Sequence, residues 1–313
     1  VSSIGLIGLG FDYEFKIFWR NKGFRKVLNL LPARSFDQGM DYVVSLMETN
    51  LASRMTEGTV RIFQQATTLH VVPINLIGVS ISTAAFPRLT ERLSENRIDL
   101  FKDELRSVIR AIIWLALPVS IITYFTRGYV VSFISHRGNS LMAGLLGVFA
   151  VAILFRCLYH ILARSFYAQQ DTKTPLYISI VAISLNVFLA IWFTFSLRYG
   201  AYGLAVAQAI VAIVEVVILF TMMEMRTPGV LYKYFWQGIL RMASAAGFMS
   251  IICYFMVHWL PFEAGARSLY EAVPKFILIV LVSLSTYLMF SRLLQIKESE
   301  PVMRKLRKVF FRA

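Results

Sequence analysis

The segment YAQQDTKTP (residues 167–175) lies between two apolar runs, NSLMAGLLGVFAVAILFRCLYHILA (139–163) and LYISIVAISLNVFLAIWFTF (176–195). Each run is about as long as the ~20 residues that an α-helix needs to cross the hydrocarbon core of a bilayer. The segment between them is polar and contains an acid, a base, two threonines and a proline. This pattern predicts two membrane-spanning helices joined by a short polar loop.

The whole chain has the composition of a membrane protein. Of its 313 residues, 57% are hydrophobic and 16% are charged, whereas soluble domains carry about 25% charged residues. The mean hydropathy is +0.63. Cys157 and Cys253 both lie inside apolar runs, so their positions indicate neither a disulfide framework nor a metal site. We therefore predict an all-α, polytopic helical membrane protein.

Eight candidate spans follow a segment, residues 1–11, that resembles the end of a further span. Because the sequence opens inside that segment on Val1, we expect the chain to be the C-terminal part of a longer protein. The eight spans are predicted at 35–55, 59–87, 108–126, 140–165, 175–197, 200–223, 236–259 and 273–294. They divide the chain into a basic cytoplasmic linker (12–34), a six-span lobe (35–223), two additional spans (224–294) and a basic cytoplasmic tail (295–313).

The distribution of Lys and Arg predicts the orientation in the membrane. If the C-terminal tail is cytoplasmic, the cytoplasmic segments hold 24 of the 32 basic residues and the outer segments hold 7. This asymmetry is the one that the positive-inside rule requires. It also explains the formal net charge of +14 by attraction to anionic membrane lipids, with no need for nucleic acid. We expect a multi-pass plasma-membrane protein with a cytoplasmic C-terminus.

This orientation makes YAQQDTKTP a cytoplasmic loop. Thr174 is expected to cap the next helix, and Pro175 suits the first turn of that helix, where its missing N–H has no partner to lose. An ordinary helix–helix turn is the alternative interpretation of the same residues.

Polar residues form three stripes inside the predicted spans. At 100° per residue, the members of each stripe share one helix face. An intramembrane carboxylate costs roughly 2.5–3.5 kcal/mol, so it should face protein or a water-filled cavity. The stripes consist of Asp37, Asp41, Ser45 and Glu48; Arg61, Gln64, Thr68, Asn75, Gly78 and Ser82; and Ala201, Ala205, Gln208, Ala212 and Glu215.

Together the stripes predict a hydrated central cavity. Two alternatives stay open. The first stripe could belong to a partly extramembrane helix whose acids are solvated, and the small residues of the third could serve close helix packing. Arg156 and His160 lie one turn apart near the predicted inner end of their span. For Arg156 we favour snorkelling to the membrane surface over a place in the cavity, and we assign no role to His70.

The sequence contains no nucleotide-binding loop, no HExxH and no G-x-S-x-G motif. Its Ser, His and Asp residues have no spacing that suggests a catalytic triad. We therefore predict that the chain is not an enzyme and that it has no catalytic residues.

Two segments resemble the MurJ/MviN family of bacterial lipid II flippases. One is GTVRIFQQATTLHVVPINLIGVSISTAAFPRLTE (58–91), and the other is SFYAQQDTKTP (165–175). Residues 31–53 and 199–210 agree more loosely, and the likeness runs over essentially the whole chain. In the second segment, the residues that match the family's loop motif are Asp171, Thr172, Lys173, Thr174 and Pro175.

The resemblance implies a two-lobed, fourteen-span flippase fold, of which this chain would supply the second lobe and two C-terminal spans. The implied substrate is lipid II, the undecaprenyl-diphosphate-linked precursor of peptidoglycan, which alternating access carries from the inner to the outer leaflet of the bacterial plasma membrane. The implied partner is an N-terminal lobe, supplied by the same full-length chain or by a separate one. No cofactor is implied, apart from a monovalent cation such as sodium in some members.

The chain departs from the family's pattern at several positions. Thr68 stands where the family usually has a basic residue that is thought to help grip the diphosphate, and Arg61, two turns earlier on the same face, is a candidate substitute. Glu215 occupies a position that is often Asn.

Other positions bear on the implied cation. Glu48 and Asn186 fall where the ligands of a cation would lie, whereas Ala190 stands where a second acid is expected.

Three other functions stay open at this point. The acidic stripe and Glu215 would also suit a flippase for another lipid-linked oligosaccharide or a cation-coupled exporter, although the DTKTP loop argues against both. Thr68 would suit a membrane scaffold that has lost transport.

Overall fold

The computed structural model describes residues 42–135, 139–261 and 269–300, together with Gly39 and Arg304. This part of the chain is helical and contains no strand, so the predicted all-α class is confirmed. Predictions for residues 1–11 and 12–34, for Asp37 and Asp41, and for most of the tail after residue 300 lie outside the described residues.

The helices succeed one another with short connections. In chain order they are α1 (42–53), α2 (Thr59–Ser94), α3 (Ile98–Phe125), α4 (Arg127–Ile134), α5 (Ser140–Ala168), α6 (Lys173–Ser196), α7 (Ala201–Arg226), α8 (Lys233–Trp259) and α9 (Leu269–Leu293). Within the described residues, seven helices are long and apolar enough to cross a membrane, namely α2, α3 and α5 to α9. They coincide with the seven spans predicted between residues 59 and 294, and the predicted span at 35–55 is described only from residue 42.

The helix α3 begins about three turns before the span predicted at 108–126. Phe101, Leu105 and Ile109 are fully buried and follow one another at four-residue intervals, so they form one ridge of the helix. Packing of this ridge against the other helices extends the helix beyond its most hydrophobic part.

Side-chain oxygens cap two of the helices. The Asn139 side chain accepts a hydrogen bond from the Met142 amide at the start of α5 (2.9 Å). At the start of α6, the Asp171 carboxylate accepts from the backbone amides of Lys173 (3.0 Å) and Thr174 (3.1 Å). The prediction that Thr174 caps this helix is therefore wrong. Thr174 lies within the first turn, where its own hydroxyl donates to Asp171 (2.6 Å), and Pro175 lies in that turn as predicted.

The helix α5 is the centre of the bundle and packs against α2, α3 and α7. Its residues Phe149, Ile153, Cys157 and Ile161 are all fully buried and recur every four positions. A ridge of this spacing fits the grooves of neighbouring helices.

The helices α8 and α9 pack against each other, and α8 packs along α3. Hydrogen bonds tie α9 to α3: the Trp114 indole N–H donates to the Ser291 hydroxyl (3.2 Å), and the Tyr287 hydroxyl donates to the Trp114 carbonyl (3.0 Å). These contacts hold the last two spans against the rest of the bundle.

The helix α2 contains one turn of π-helix, residues Ile74–Val79, directly after Pro73. A Cβ at Gly78 would lie 2.7 Å from the Cα of Cys157, so glycine permits α2 and α5 to approach closely here. The Arg164 guanidinium of α5 donates to the Val79 carbonyl (2.7 Å) and to the Ser82 hydroxyl (2.5 Å). Because a π turn adds one residue, it rotates the face on which all later residues lie.

Candidate functional site

A polar cavity of about 320 Å³ lies between α1, α2, α5, α6 and α7, and we call it the central cavity. Its charged lining consists of two acids, Glu48 and Glu215, and one arginine, Arg156. The charged and polar residues that line it are Ser45, Glu48, Thr67, His70, Asn75, Arg156, Tyr159, His160, Ser179, Asn186, Gln208 and Glu215.

Glu48 reaches the central cavity from α1 and is 4% exposed. Its Oε2 accepts a hydrogen bond from the Gln208 amide nitrogen on α7 (2.6 Å). Its Oε1 is buried and has no hydrogen-bond partner among the described residues. One carboxylate oxygen is therefore held in place, and the other is left to accept from something else.

Asn186 lines the same cavity from α6 and is 2% exposed. Its Oδ1 is also buried and lacks a hydrogen-bond partner within the part of the chain described. Ala190, one turn later, is fully buried in an apolar cluster. Buried oxygens without a donor are costly, so a cation that binds Glu48 and Asn186 would satisfy both.

Arg156 on α5 and Glu215 on α7 form an ion pair in the central cavity, with 3.5 Å between Nη1 and Oε2. The side chain of Arg156 is 27% exposed and that of Glu215 is 5% exposed. The favoured interpretation of Arg156 as a snorkelling residue is therefore wrong, because the buried carboxylate of Glu215 holds its guanidinium in the cavity. With neutral histidines and both glutamates ionised, the cavity's formal net charge is −1.

The sequence interpretation missed His70, which lies in the central cavity with Thr67 on the same face of α2. Its Nδ1 is 2.8 Å from the Thr67 carbonyl and must donate to it, since a carbonyl only accepts. The ring stacks on Phe149 of α5, with 4.6 Å between centroids. The signal was the three-residue spacing of Thr67 and His70 in the α-helical part of α2, which places both on one helix face.

The residues of the second predicted stripe do not share one environment. Asn75 lines the central cavity, whereas Arg61, Gln64 and Thr68 are exposed and do not line it. Ser82 is buried where Arg164 binds it. That Arg61 substitutes for a basic residue at position 68 stays a prediction.

The third predicted stripe contributes both to close helix packing and to the lining of the central cavity. Ala201, Ala205 and Ala212 are buried in apolar clusters, as close helix packing requires. Gln208 and Glu215, on the same helix, line the central cavity. Small residues thus bring α7 close to α5 and carry its polar side chains to the cavity.

The family-motif loop lies outside the central cavity and connects the start of α6 to the end of α7. The carboxylate of Asp171 binds the first turn of α6 and also accepts from the guanidinium of Arg226 at the end of α7. Partial burial raises the pKa of Asp171, but the hydrogen bonds from Thr174 and the contact with Arg226 outweigh it and hold the pKa below its usual range. The motif residues therefore fix the loop and the ends of two cavity helices.

Comparison with known proteins identifies a matching family model and curated relatives. Residues 2–273 match the family model described as lipid II flippase MurJ. A probable lipid II flippase MurJ of Thermotoga maritima is 24% identical over 290 residues, which cover 91% of this chain and 56% of that protein. A probable lipid II flippase MurJ of Haemophilus influenzae is 28% identical over 223 residues, which cover 64% of this chain and 41% of that protein. The chain thus spans about half the length of these curated relatives.

Solved structures show the same fold. A lipid II flippase MurJ in an inward closed conformation superposes with a TM-score of 0.69 at 21% identity, covering 93% of this chain and 58% of that one. An outward-facing multidrug transporter of the MATE family superposes with a TM-score of 0.56 at 11% identity, covering 88% of this chain and 66% of that one. The predicted polytopic helical fold is therefore confirmed, and the match to residues 2–273 shows that the chain belongs to the lipid II flippase MurJ family.

Proposed function

We propose that this chain is the part of a lipid II flippase that contributes the central cavity. In this proposal, alternating access of two lobes moves the lipid-linked peptidoglycan precursor from the inner to the outer leaflet. Membership of the family supports it. The observation that carries it is a cavity lined by an arginine, two acids and several amides among five helices of a membrane protein.

The substrate explains why such a cavity is needed. The sugar–peptide head and the diphosphate of lipid II cannot enter hydrocarbon without losing their hydration, so a polar path must replace it. Arg156 supplies a positive charge to that path, and Glu215 holds its guanidinium in position. The exposed polar face of α2, with Arg61, Gln64 and Thr68, would face the N-terminal lobe.

We further infer that the central cavity binds a monovalent cation such as sodium. Glu48 and Asn186 present buried oxygens that lack donors among the described residues, and hard cations prefer oxygen ligands. One monovalent cation would balance the formal net charge of the cavity, which is −1 with neutral histidines and both glutamates ionised. The charge of such a cation would balance Glu48, while Gln208 keeps that carboxylate in place.

Family membership places the chain in the bacterial inner membrane as a multi-pass protein, and the proposed orientation has the C-terminus in the cytoplasm. The excess of Lys and Arg in the segments on that side supports this orientation. It puts the loop that contains Asp171 in the cytoplasm as well.

Rescue of bacterial cells depleted of their own lipid II flippase tests the proposal. The native reading frame that encodes this chain is expected to restore growth and cell shape, and Glu48→Gln is expected to abolish the rescue. The matched control is Glu57→Gln, which changes an exposed glutamate in the turn before α2 and should rescue fully. Correct membrane insertion without any rescue by the native frame would reject the proposed substrate.

A further inference from the structure

A second polar pocket, of about 380 Å³, lies between the first part of α3, the start of α8 and the turn after α9. We call it the interfacial pocket. Tyr232, Tyr234 and Trp236 are exposed at the start of α8, and aromatic side chains gather at the level of the lipid headgroups. The pocket therefore lies where a membrane surface meets the protein, and it shares no lining residue with the central cavity.

Two of the charged groups in the interfacial pocket neutralise each other. Arg110 binds Glu298 through two contacts, Nε to Oε1 at 2.6 Å and an Nη2 hydrogen bond to Oε2 at 3.1 Å. Their side chains are 19% and 13% exposed. A Cβ at Gly238 of α8 would lie 2.8 Å from the Arg110 guanidinium carbon, so glycine leaves the room that this pair occupies.

Contacts with Asp103 and Tyr232 hold Arg106 in the pocket, but they do not satisfy all of its hydrogen-bond donors. Its Nη1 donates to Asp103 (2.8 Å), whose side chain is 65% exposed and so remains largely hydrated. Its guanidinium lies 4.6 Å from the centroid of the Tyr232 ring. Its Nε is buried and has no hydrogen-bond partner among the described residues. The stacking fixes a guanidinium that still has a donor to offer.

The pocket is positively charged overall. Arg106, Arg110 and Lys297 are opposed by Asp103 and Glu298, which gives a net charge of +1. Lys297 is exposed, so its ammonium group is available to a ligand at the pocket's mouth. A ligand that completes this site must accept hydrogen bonds, carry negative charge and reach the membrane surface.

We propose that the interfacial pocket binds the phosphate group of an anionic phospholipid. A phosphodiester presents acceptor oxygens to the guanidinium of Arg106 and negative charge to Lys297, and guanidinium groups match this geometry well. Basic pockets between membrane helices are known to hold lipid headgroups. The bound lipid would link α3, α8 and the segment after α9 without entering the central cavity, so the inference does not rest on lipid II transport.

Native mass spectrometry of the purified full chain tests this proposal, with phosphatidylglycerol as the probe and zwitterionic phosphatidylcholine as the comparison. We expect phosphatidylglycerol to bind more tightly than phosphatidylcholine. Arg106→Gln is expected to weaken its binding about fivefold or more, since one basic group near a lipid surface is worth about that factor. Arg88→Gln removes a charge from a 72% exposed arginine outside the pocket and serves as the matched control. It should leave binding unchanged.

Further arms complete the test. Inorganic phosphate is added as a competitor, to distinguish a lipid headgroup from free phosphate as the ligand. If it displaces phosphatidylglycerol at equal concentration, the site recognises phosphate but not lipid. The proposal then fails. Equal binding of the two lipids, or unchanged phosphatidylglycerol binding by Arg106→Gln, would also overturn it. Should Arg106→Gln fail to fold, Lys297→Gln at an exposed position decides: weaker phosphatidylglycerol binding supports the proposal and unchanged binding refutes it.

Discussion

The central cavity and the interfacial pocket are similar in size and opposite in character. Within the described residues, the cavity leaves two acceptors without donors, the oxygens Glu48 Oε1 and Asn186 Oδ1. The pocket instead leaves two donors without a hydrogen-bond partner, Arg106 Nε and Arg110 Nε, of which the second keeps its ion-pair contact with Glu298. The cavity has a net charge of −1 with neutral histidines, and the pocket has a net charge of +1. An unsatisfied buried group together with the local charge indicates which ligand a site needs.

The comparison also shows how differently the two sites use an arginine. Arg156 neutralises the buried Glu215 inside the bundle, so we expect its charge to support folding as well as the proposed transport. Arg106 stacks on Tyr232 at the surface and pairs with a hydrated acid, so most of its charge remains for a ligand. Removing each arginine should therefore have different consequences.

The largest expected effect is the loss of folding stability when the ion pair between Arg156 and Glu215 is broken. Arg156→Gln removes the ion pair between Arg156 and the buried carboxylate of Glu215, and breaking a buried pair from one side costs about 3 kcal/mol. We expect a clear fall in Tm, measured by thermal melting in detergent. The double variant Arg156→Gln and Glu215→Gln should recover most of the loss. Arg54→Gln, at an exposed position between α1 and α2, is the control and should change little.

The second prediction concerns the sodium ion proposed for the central cavity. It tests whether the cavity, unlike the positively charged interfacial pocket, binds a cation. Sodium at about 100 times its dissociation constant should stabilise the folded chain by about 2.7 kcal/mol if it binds only the folded state. Melting in sodium against choline at equal ionic strength should reveal a higher Tm in sodium. Glu48→Gln should remove the difference and Glu57→Gln should keep it. Equal shifts in both variants would show that sodium acts elsewhere.

The third prediction concerns the close approach of α2 and α5 beside the cavity. Gly78→Ala places a Cβ 2.7 Å from the Cα of Cys157, and backbone on that side cannot move away cheaply. Overpacking of this kind costs about 1–3 kcal/mol. We expect a lower Tm together with weaker stabilisation by sodium, because α2 lines the cavity. Gly247→Ala is the control, since a Cβ there meets nothing within 4 Å.

The smallest expected effect lies in the loop, away from both sites. Asp171→Ala removes a helix cap and the partner of Arg226, which should cost about 1 kcal/mol, while Asp171→Asn keeps an acceptor and should cost less. Because the pKa of folded Asp171 lies below its usual value, its charge stabilises the fold above the unfolded pKa. That contribution is lost as the pH falls through the folded pKa. The Tm difference between the wild type and Asp171→Asn should therefore disappear in acid.

Much of the fold could be predicted from the sequence because apolar runs of membrane length have one physical explanation. Hydropathy located the spans from 108 to 294, and the helical phase of its polar residues supported the span at 59–87. Neither could find the first part of α3, where burial of Phe101 and Leu105 extends the helix. The cap of α6 was misassigned because both Asp171 and Thr174 are good capping residues. Only the structure shows whose side chain accepts from the first amides.

The site was predictable as far as helical phase stayed regular. Glu48, Gln208 and Glu215 lie on helix faces that line the central cavity, and α1 and α7 are unbroken where these residues lie. In α2 the predicted stripe failed before the π turn at Ile74–Val79: Arg61, Gln64 and Thr68 lie on an exposed face, whereas the cavity is lined by Thr67, His70 and Asn75. Arg156 was assigned to the surface because its partner, Glu215, is distant in sequence.

The most direct test of the central claim is the amount of lipid II accessible on the outer leaflet of cells that depend on the native reading frame. It should be measured for the wild type, for Glu48→Gln and for Glu57→Gln at equal membrane abundance. We predict normal outer-leaflet lipid II for the wild type and Glu57→Gln, and a loss of most of it for Glu48→Gln. Normal outer-leaflet lipid II in Glu48→Gln cells would contradict the claim that the central cavity is the working site.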